Sequence, residues 1–132
     1  MTDTNSERRR HSRLPKPFPV EASEIRFPPS SQARFETQCH DISAGGLSVL
    51  SPRKFDLGAK LQVRVHIPTL NKYSPGFFKV YENDADQYLQ AIAEVTRVDL
   101  SGGGYLLGLK YVDVDEDAAR AVANMVNKAV AR

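Results

Sequence analysis

The sequence holds one cysteine and no tryptophan. A single thiol, Cys39, excludes an internal disulfide and a cysteine-rich zinc site, since each needs at least two thiolates, and it agrees with a reducing compartment. No stretch approaches the roughly 20 apolar residues of a membrane span, and the opening MTDTNSERRR lacks the apolar core of a secretory signal. A cytoplasmic protein is the expectation. The chain also lacks a glycine-rich phosphate loop and a metal-ligand spacing, and His11, His40 and His66 fall in separate segments. Neither an enzyme nor a cofactor is expected. His40 stands next to Asp41, but strand alternation turns adjacent residues to opposite faces, which argues against a dyad.

Basic and acidic residues nearly balance, leaving a net charge of +2, yet they are unevenly placed. Residues 1–16 carry Arg8, Arg9, Arg10, Arg13 and Lys16 against Asp3 and Glu7, while the remainder is slightly acidic. The body therefore lacks the strong positive field of a non-specific nucleic-acid binder, and an anion bound here is small or locally held. With 132 residues, 41% of them hydrophobic, the chain suits one compact domain.

What is present is organised by period. Residues 1–7 are polar and aperiodic, the composition of a disordered tail. Pro15, Pro17 and Pro19 remove amide donors and disfavour helix before them, so residues 8–16 read as an extended arginine-rich arm running into a strand edge. The stretch Phe27 to Ala33 is a turn by composition. From Arg34 the pattern alternates, with Phe35, Thr37 and Cys39 on one side and Arg34, Glu36, Gln38 and His40 on the other. The stretch SAGG interrupts with residues that tolerate positive φ before LSVL resumes, giving strand, turn or bulge, strand.

Leu61, Val63, Val65 and Ile67 alternate with polar residues in the same way. Phe77–Tyr81, Leu89–Val98 and Tyr105–Val112 read as further strands, the last entered through glycines 102–104 and interrupted by Gly108, where a close backbone approach is expected. The end switches period: Ala118, Val122, Met125, Val126, Ala129 and Val130 form the buried stripe of one amphipathic helix over 114–131, capped by Asp113 or Asp115. Six or so short strands over 17–112 followed by one helix predict an all-β domain, a small antiparallel barrel with a C-terminal helix covering an opening or face.

Two pieces carry chemistry. Arg8, Arg9, Arg10 and Arg13 supply planar forks that pair two acceptors at once, on a phosphate or on the O6 and N7 edge of guanine. Extended residues four apart stand about 13 Å apart, enough to grip two ends of a dinucleotide-sized ligand. Alone, such a run also describes a solvated tail. In DISAGG, Asp41 and Ser43 fall on one face of a strand, where a carboxylate accepts from guanine N1 and N2, while Gly45 and Gly46 offer backbone that a flat base can approach. Alone, this also describes a serine turn ahead of a glycine bulge.

Together, Arg9-x-x-x-Arg13 followed by Asp41-x-Ser43-x-x-Gly46 resembles the PilZ domain family of bacterial receptors for cyclic di-GMP. The resemblance covers nearly the whole chain, including the strand with GLKYV before the helix. It implies a six-stranded antiparallel barrel with a C-terminal helix, an arm whose Arg9 and Arg13 hold phosphate and guanine, and a strand whose Asp41, Ser43 and Gly46 read a guanine. Arg8 and Arg10 are additional and suit a second ligand molecule, and Arg97 on a neighbouring strand is a further candidate. The stretch from 68 to 90 departs from the family in length, as an extra hairpin or a loop, and its Tyr73, Phe77, Phe78 and Tyr81 suit either packing or a partner surface. The implied function is a non-catalytic cyclic di-GMP receptor that acts on an unidentified protein. Two alternatives are a ligand-independent adaptor of the same fold and a small barrel that binds single-stranded nucleic acid through its basic arm.

Overall fold

The computed structural model describes residues 14–26, 33–68, 70–73 and 87–130. Among the described residues six strands, β1 (Pro19–Glu24), β2 (Arg34–Ile42), β3 (Gly46–Ser51), β4 (Lys60–His66), β5 (Tyr88–Ser101) and β6 (Gly104–Val114), precede one helix, α1 (Glu116–Val130). They close into a barrel in the order β1-β2-β3-β6-β5-β4, with every pairing antiparallel. Closure follows from β1 pairing on both sides: Val20 faces Thr37 of β2 and Val65 of β4. A closed sheet leaves no unpaired edge.

Period two in the sequence becomes inside and outside in the barrel. Val20 and Ala22, Leu47 and Val49, Leu61, Val63 and Val65, Leu89, Ala91, Ala93 and Val95, and Leu107 and Leu109 all point into one core. β5 and β6 extend beyond the alternating segments, because their hairpin continues to a tight turn in which Gly102 takes a φ of 56°. Phe77–Tyr81, expected as a strand, lies outside the described residues.

The helix starts at Asp115, whose Oδ2 accepts the amide of Ala118 at 3.1 Å, the bond of an N-terminal cap. Glu116 and Asp117 follow in its first turn, where the helix dipole favours negative charge. Its buried stripe is Ala118, Ala121, Val122, Met125 and Val126. Ala129, expected in that stripe, is exposed, so burial stops a turn before the helix does. The helix packs on β5 and on the 3₁₀ turn Leu70–Tyr73, where the Asn124 side-chain amide donates to the Tyr73 carbonyl at 2.8 Å.

Candidate functional site

The described chain begins at the point where the arginine arm joins the barrel. The Leu14 amide donates to the Ile42 carbonyl at 2.8 Å and the Ile42 amide returns a bond to Leu14 at 3.0 Å. Farther along, the Cys39 amide donates to the Phe18 carbonyl at 2.9 Å, and the Cys39 thiol donates to the Lys16 carbonyl at 3.0 Å. The segment 14–18 is thus tied along the end of β2. Arg8, Arg9, Arg10 and Arg13 themselves lie outside the described residues.

Just past Ile42 the chain makes a turn whose polar groups satisfy one another. The Ser43 amide and hydroxyl both donate to the Gly46 carbonyl, at 2.8 and 3.3 Å, and the same hydroxyl accepts the Gly45 amide at 3.1 Å. The Gly45 carbonyl accepts the Tyr111 amide at 3.0 Å. Ser43 is buried and belongs to the turn, not to the strand face that alternation assigned it. Neither Gly45 nor Gly46 adopts positive φ, contrary to expectation. Gly46 answers instead to crowding: a Cβ there would stand 2.1 Å from the Leu109 carbonyl oxygen, so its missing side chain admits the backbone of β6.

Asp41 emerges on the barrel's outer surface beside this turn. Cys39 pairs with Val49 and Asp41 with Ser48, which leaves His40 as an extra residue in a bulge. Cys39 and Ile42 are both core residues, so His40 and Asp41 between them both face outward. The alternation argument that separated these two is therefore corrected, because a bulge shifts parity by one. The Ser48 hydroxyl donates to Asp41 Oδ1 at 3.0 Å.

Strand register continues from this pair across four strands. Asp41 faces Ser48, Ser48 faces Gly108, and Gly108 faces Arg97. Three strand spacings give a row of about 14 Å. Arg97 owes its place to a second bulge, at Thr96, and to Gly108, where a Cβ would lie 3.1 Å from the Arg97 Cβ and 3.7 Å from its Nε. The arginine therefore lies over the glycine. Its Nε donates to Asp99 at 3.1 Å, with both side chains more than half exposed. The adjoining row holds Leu50, Leu106 and Asp99, and a shallow cavity of about 540 Å³ opens between Pro17, His40, Leu50 and Leu106. Ser48 escaped the sequence reading. The polar residue between Leu47 and Val49 was its only signal, and its partner depended on a bulge.

A second groove, of about 650 Å³, lies on the outer surface of β1, β2, β4 and β5, away from this row. Arg64 spans it, donating to Gln90 at 3.1 Å with its guanidinium 4.6 Å from the centre of the Tyr88 ring.

A closed six-stranded antiparallel barrel with one C-terminal helix, with Leu14 paired to Ile42 beside an aspartate and a serine-glycine turn, defines the class as a small β-barrel domain. The family model described as PilZ domain matches residues 7–128, and the chain belongs to the PilZ domain family. No curated protein matches it. Among solved structures it is similar to the Bacillus subtilis inhibitor of motility MotI/DgrA, with a TM-score of 0.68 and 19% identity over 94% of this chain and 52% of that one. The chain thus spans about half the length of that protein. The PilZ domain of YcgR from Escherichia coli, solved with c-di-GMP, is similar with a TM-score of 0.57 and 16% identity over 92% and 90% of the two chains. The PilZ domain of CeSA from a cellulose-synthesizing bacterium gives 0.54 and 17%, over 90% and 98%. At these identities the likeness is one of fold. No helix among the described residues is long and apolar enough to cross a membrane.

Proposed function

We propose that this domain is a non-catalytic receptor for cyclic di-GMP. The observation that supports the reading is the pair of bonds between Leu14 and Ile42, which holds the residue next in sequence after Arg13 beside Asp41 and the Ser43–Gly46 turn. Two motif halves distant in sequence thereby serve one ligand. In this reading Arg9 and Arg13 fork onto phosphate and the O6 and N7 edge of guanine, and Asp41 accepts from guanine N1 and N2. The turn of Ser43, Gly45 and Gly46 holds the backbone that the base approaches, Arg97 contributes from the far end of the row, and Arg8 and Arg10 are available to a second ligand molecule.

Magnitudes require both halves. Two bidentate arginines contribute about 2–6 kcal/mol, whereas ordering a segment that folds over its ligand costs on the order of 2–5 kcal/mol. Micromolar binding takes about 8 kcal/mol, so the preformed face of the barrel supplies the difference. Ligand then draws the arm against the barrel and presents a new surface to a cytoplasmic protein partner.

Isothermal titration with cyclic di-GMP, beside GMP and the variants Arg9→Ala and Arg13→Ala, tests the reading. Saturable binding that GMP does not reproduce and that either substitution abolishes is the expected result. No heat at tens of micromolar ligand overturns it and leaves the ligand-independent adaptor and the nucleic-acid barrel.

A further inference from the structure

We propose that Ser48 is a positioning residue that sets Asp41 for guanine and so governs discrimination between purines; this rests on the cyclic di-GMP reading. Leu47 and Val49 on either side of Ser48 point into the core, which puts Ser48 on the outer surface, yet it is only 1% exposed. A buried hydroxyl needs a partner. Its single proton goes to Asp41 Oδ1 at 3.0 Å. The backbone of Ser48 is held on both sides, facing Asp41 on β2 and Gly108 on β6, so this donor cannot wander.

That constraint matters because of what the carboxylate has to do. Reading N1–H and N2–H together requires both oxygens to lie near the plane of the base, and a half-buried aspartate without a fixed bond samples several orientations about its side-chain torsions. A carboxylate offers about four acceptor directions, and the Ser48 hydroxyl occupies one of those on Oδ1. Without the hydroxyl, Asp41 keeps its charge and loses the bond that fixes Oδ1 from the β3 side. Grip on the phosphates is unaffected, because that belongs to the arginines.

The test compares wild type, Ser48→Ala and Ser48→Thr by calorimetric titration with cyclic di-GMP and with its inosine analogue, which keeps the phosphates, N1–H, O6 and N7 and lacks the N2 amine. Wild type prefers the guanine ligand. Ser48→Ala loses about three- to tenfold in cyclic di-GMP affinity, loses less for the inosine analogue and so narrows the ratio, while Ser48→Thr, which keeps the hydroxyl, restores both. Thermal unfolding of each variant establishes that it is folded. A merely structural role lowers affinity for the two ligands equally, so equal losses, or no loss, overturn the assignment. Wild type that binds neither ligand overturns the receptor reading itself, and the role of Ser48 falls with it.

Discussion

Gly46 of β3 and Leu109 of β6 approach so closely that a Cβ on the glycine would stand 2.1 Å from the Leu109 carbonyl oxygen. Its next neighbours would be the Leu109 carbonyl carbon at 3.1 Å and the Lys110 Cα at 3.2 Å. All three are backbone atoms of a paired strand, so no rotamer change relieves the clash. Gly46→Ala is expected to cost about 2–4 kcal/mol, read as a lowered midpoint in urea. Gly103→Ala is the control: nothing lies within 4 Å of its Cβ position, and its midpoint is expected to stay within about 0.5 kcal/mol of wild type.

The barrel was legible because alternation is a strong signal wherever one face is buried, as in Leu61, Val63 and Val65 against Gln62, Arg64 and His66. Bulges were not. His40 adds one residue between Cys39 and Ile42, and both bulge residues are polar, so nothing in composition marks the shift. At Gly46 sequence suggests conformational freedom and room for a base; the positive φ is not used, and a further demand comes from Leu109, about sixty residues later in the chain. Ser48 was hidden for the same cause, since its partner Asp41 is fixed only by register across the bulge.

Gly108 keeps the way clear for Arg97. A Cβ at 108 would press on the Arg97 Cβ at 3.1 Å and on Nε at 3.7 Å, and the side chain would have to swing off β6. In the receptor reading, Arg97→Ala lowers cyclic di-GMP affinity by about 1–3 kcal/mol, and Gly108→Val reproduces much of that loss with Arg97 intact. Asp99, bound to Arg97 at 3.1 Å, competes with the ligand for the guanidinium, so Asp99→Asn is expected to tighten binding. Titration of the three variants decides it, and unchanged affinity in Arg97→Ala removes this residue from the site.

Burial raises the pKa of the Cys39 thiol, hydrogen bonds involving the Phe18 and Cys39 backbone oppose the shift, and the nearby Asp41 charge adds to it. A thiol raised in the folded state favours folding fully below its unfolded value, and that contribution is lost as pH rises through the folded value. Stability should therefore decline on the alkaline side of the ordinary thiol range, and Cys39→Ser should flatten that decline. The same burial predicts no reaction of the native protein with a thiol reagent at pH 8 and prompt reaction in denaturant.

Leu14 tests whether the arm must be anchored as well as present. Leu14→Pro removes the amide that donates to Ile42 at 2.8 Å while leaving the Leu14 carbonyl to accept from Ile42 at 3.0 Å. One net hydrogen bond at the end of the barrel is a loss of about 0.5–1.5 kcal/mol, small beside the closed sheet and its core. In the receptor reading, cyclic di-GMP affinity is expected to fall about tenfold or more, because a segment released at Leu14 has more freedom to lose on ordering over the ligand. Calorimetry and thermal unfolding of the same preparation separate the two effects. A large fall in affinity with a shift of a few degrees in melting temperature makes Leu14 the hinge between arm and barrel, whereas parallel losses, or wild-type affinity, assign this ladder to fold stability alone.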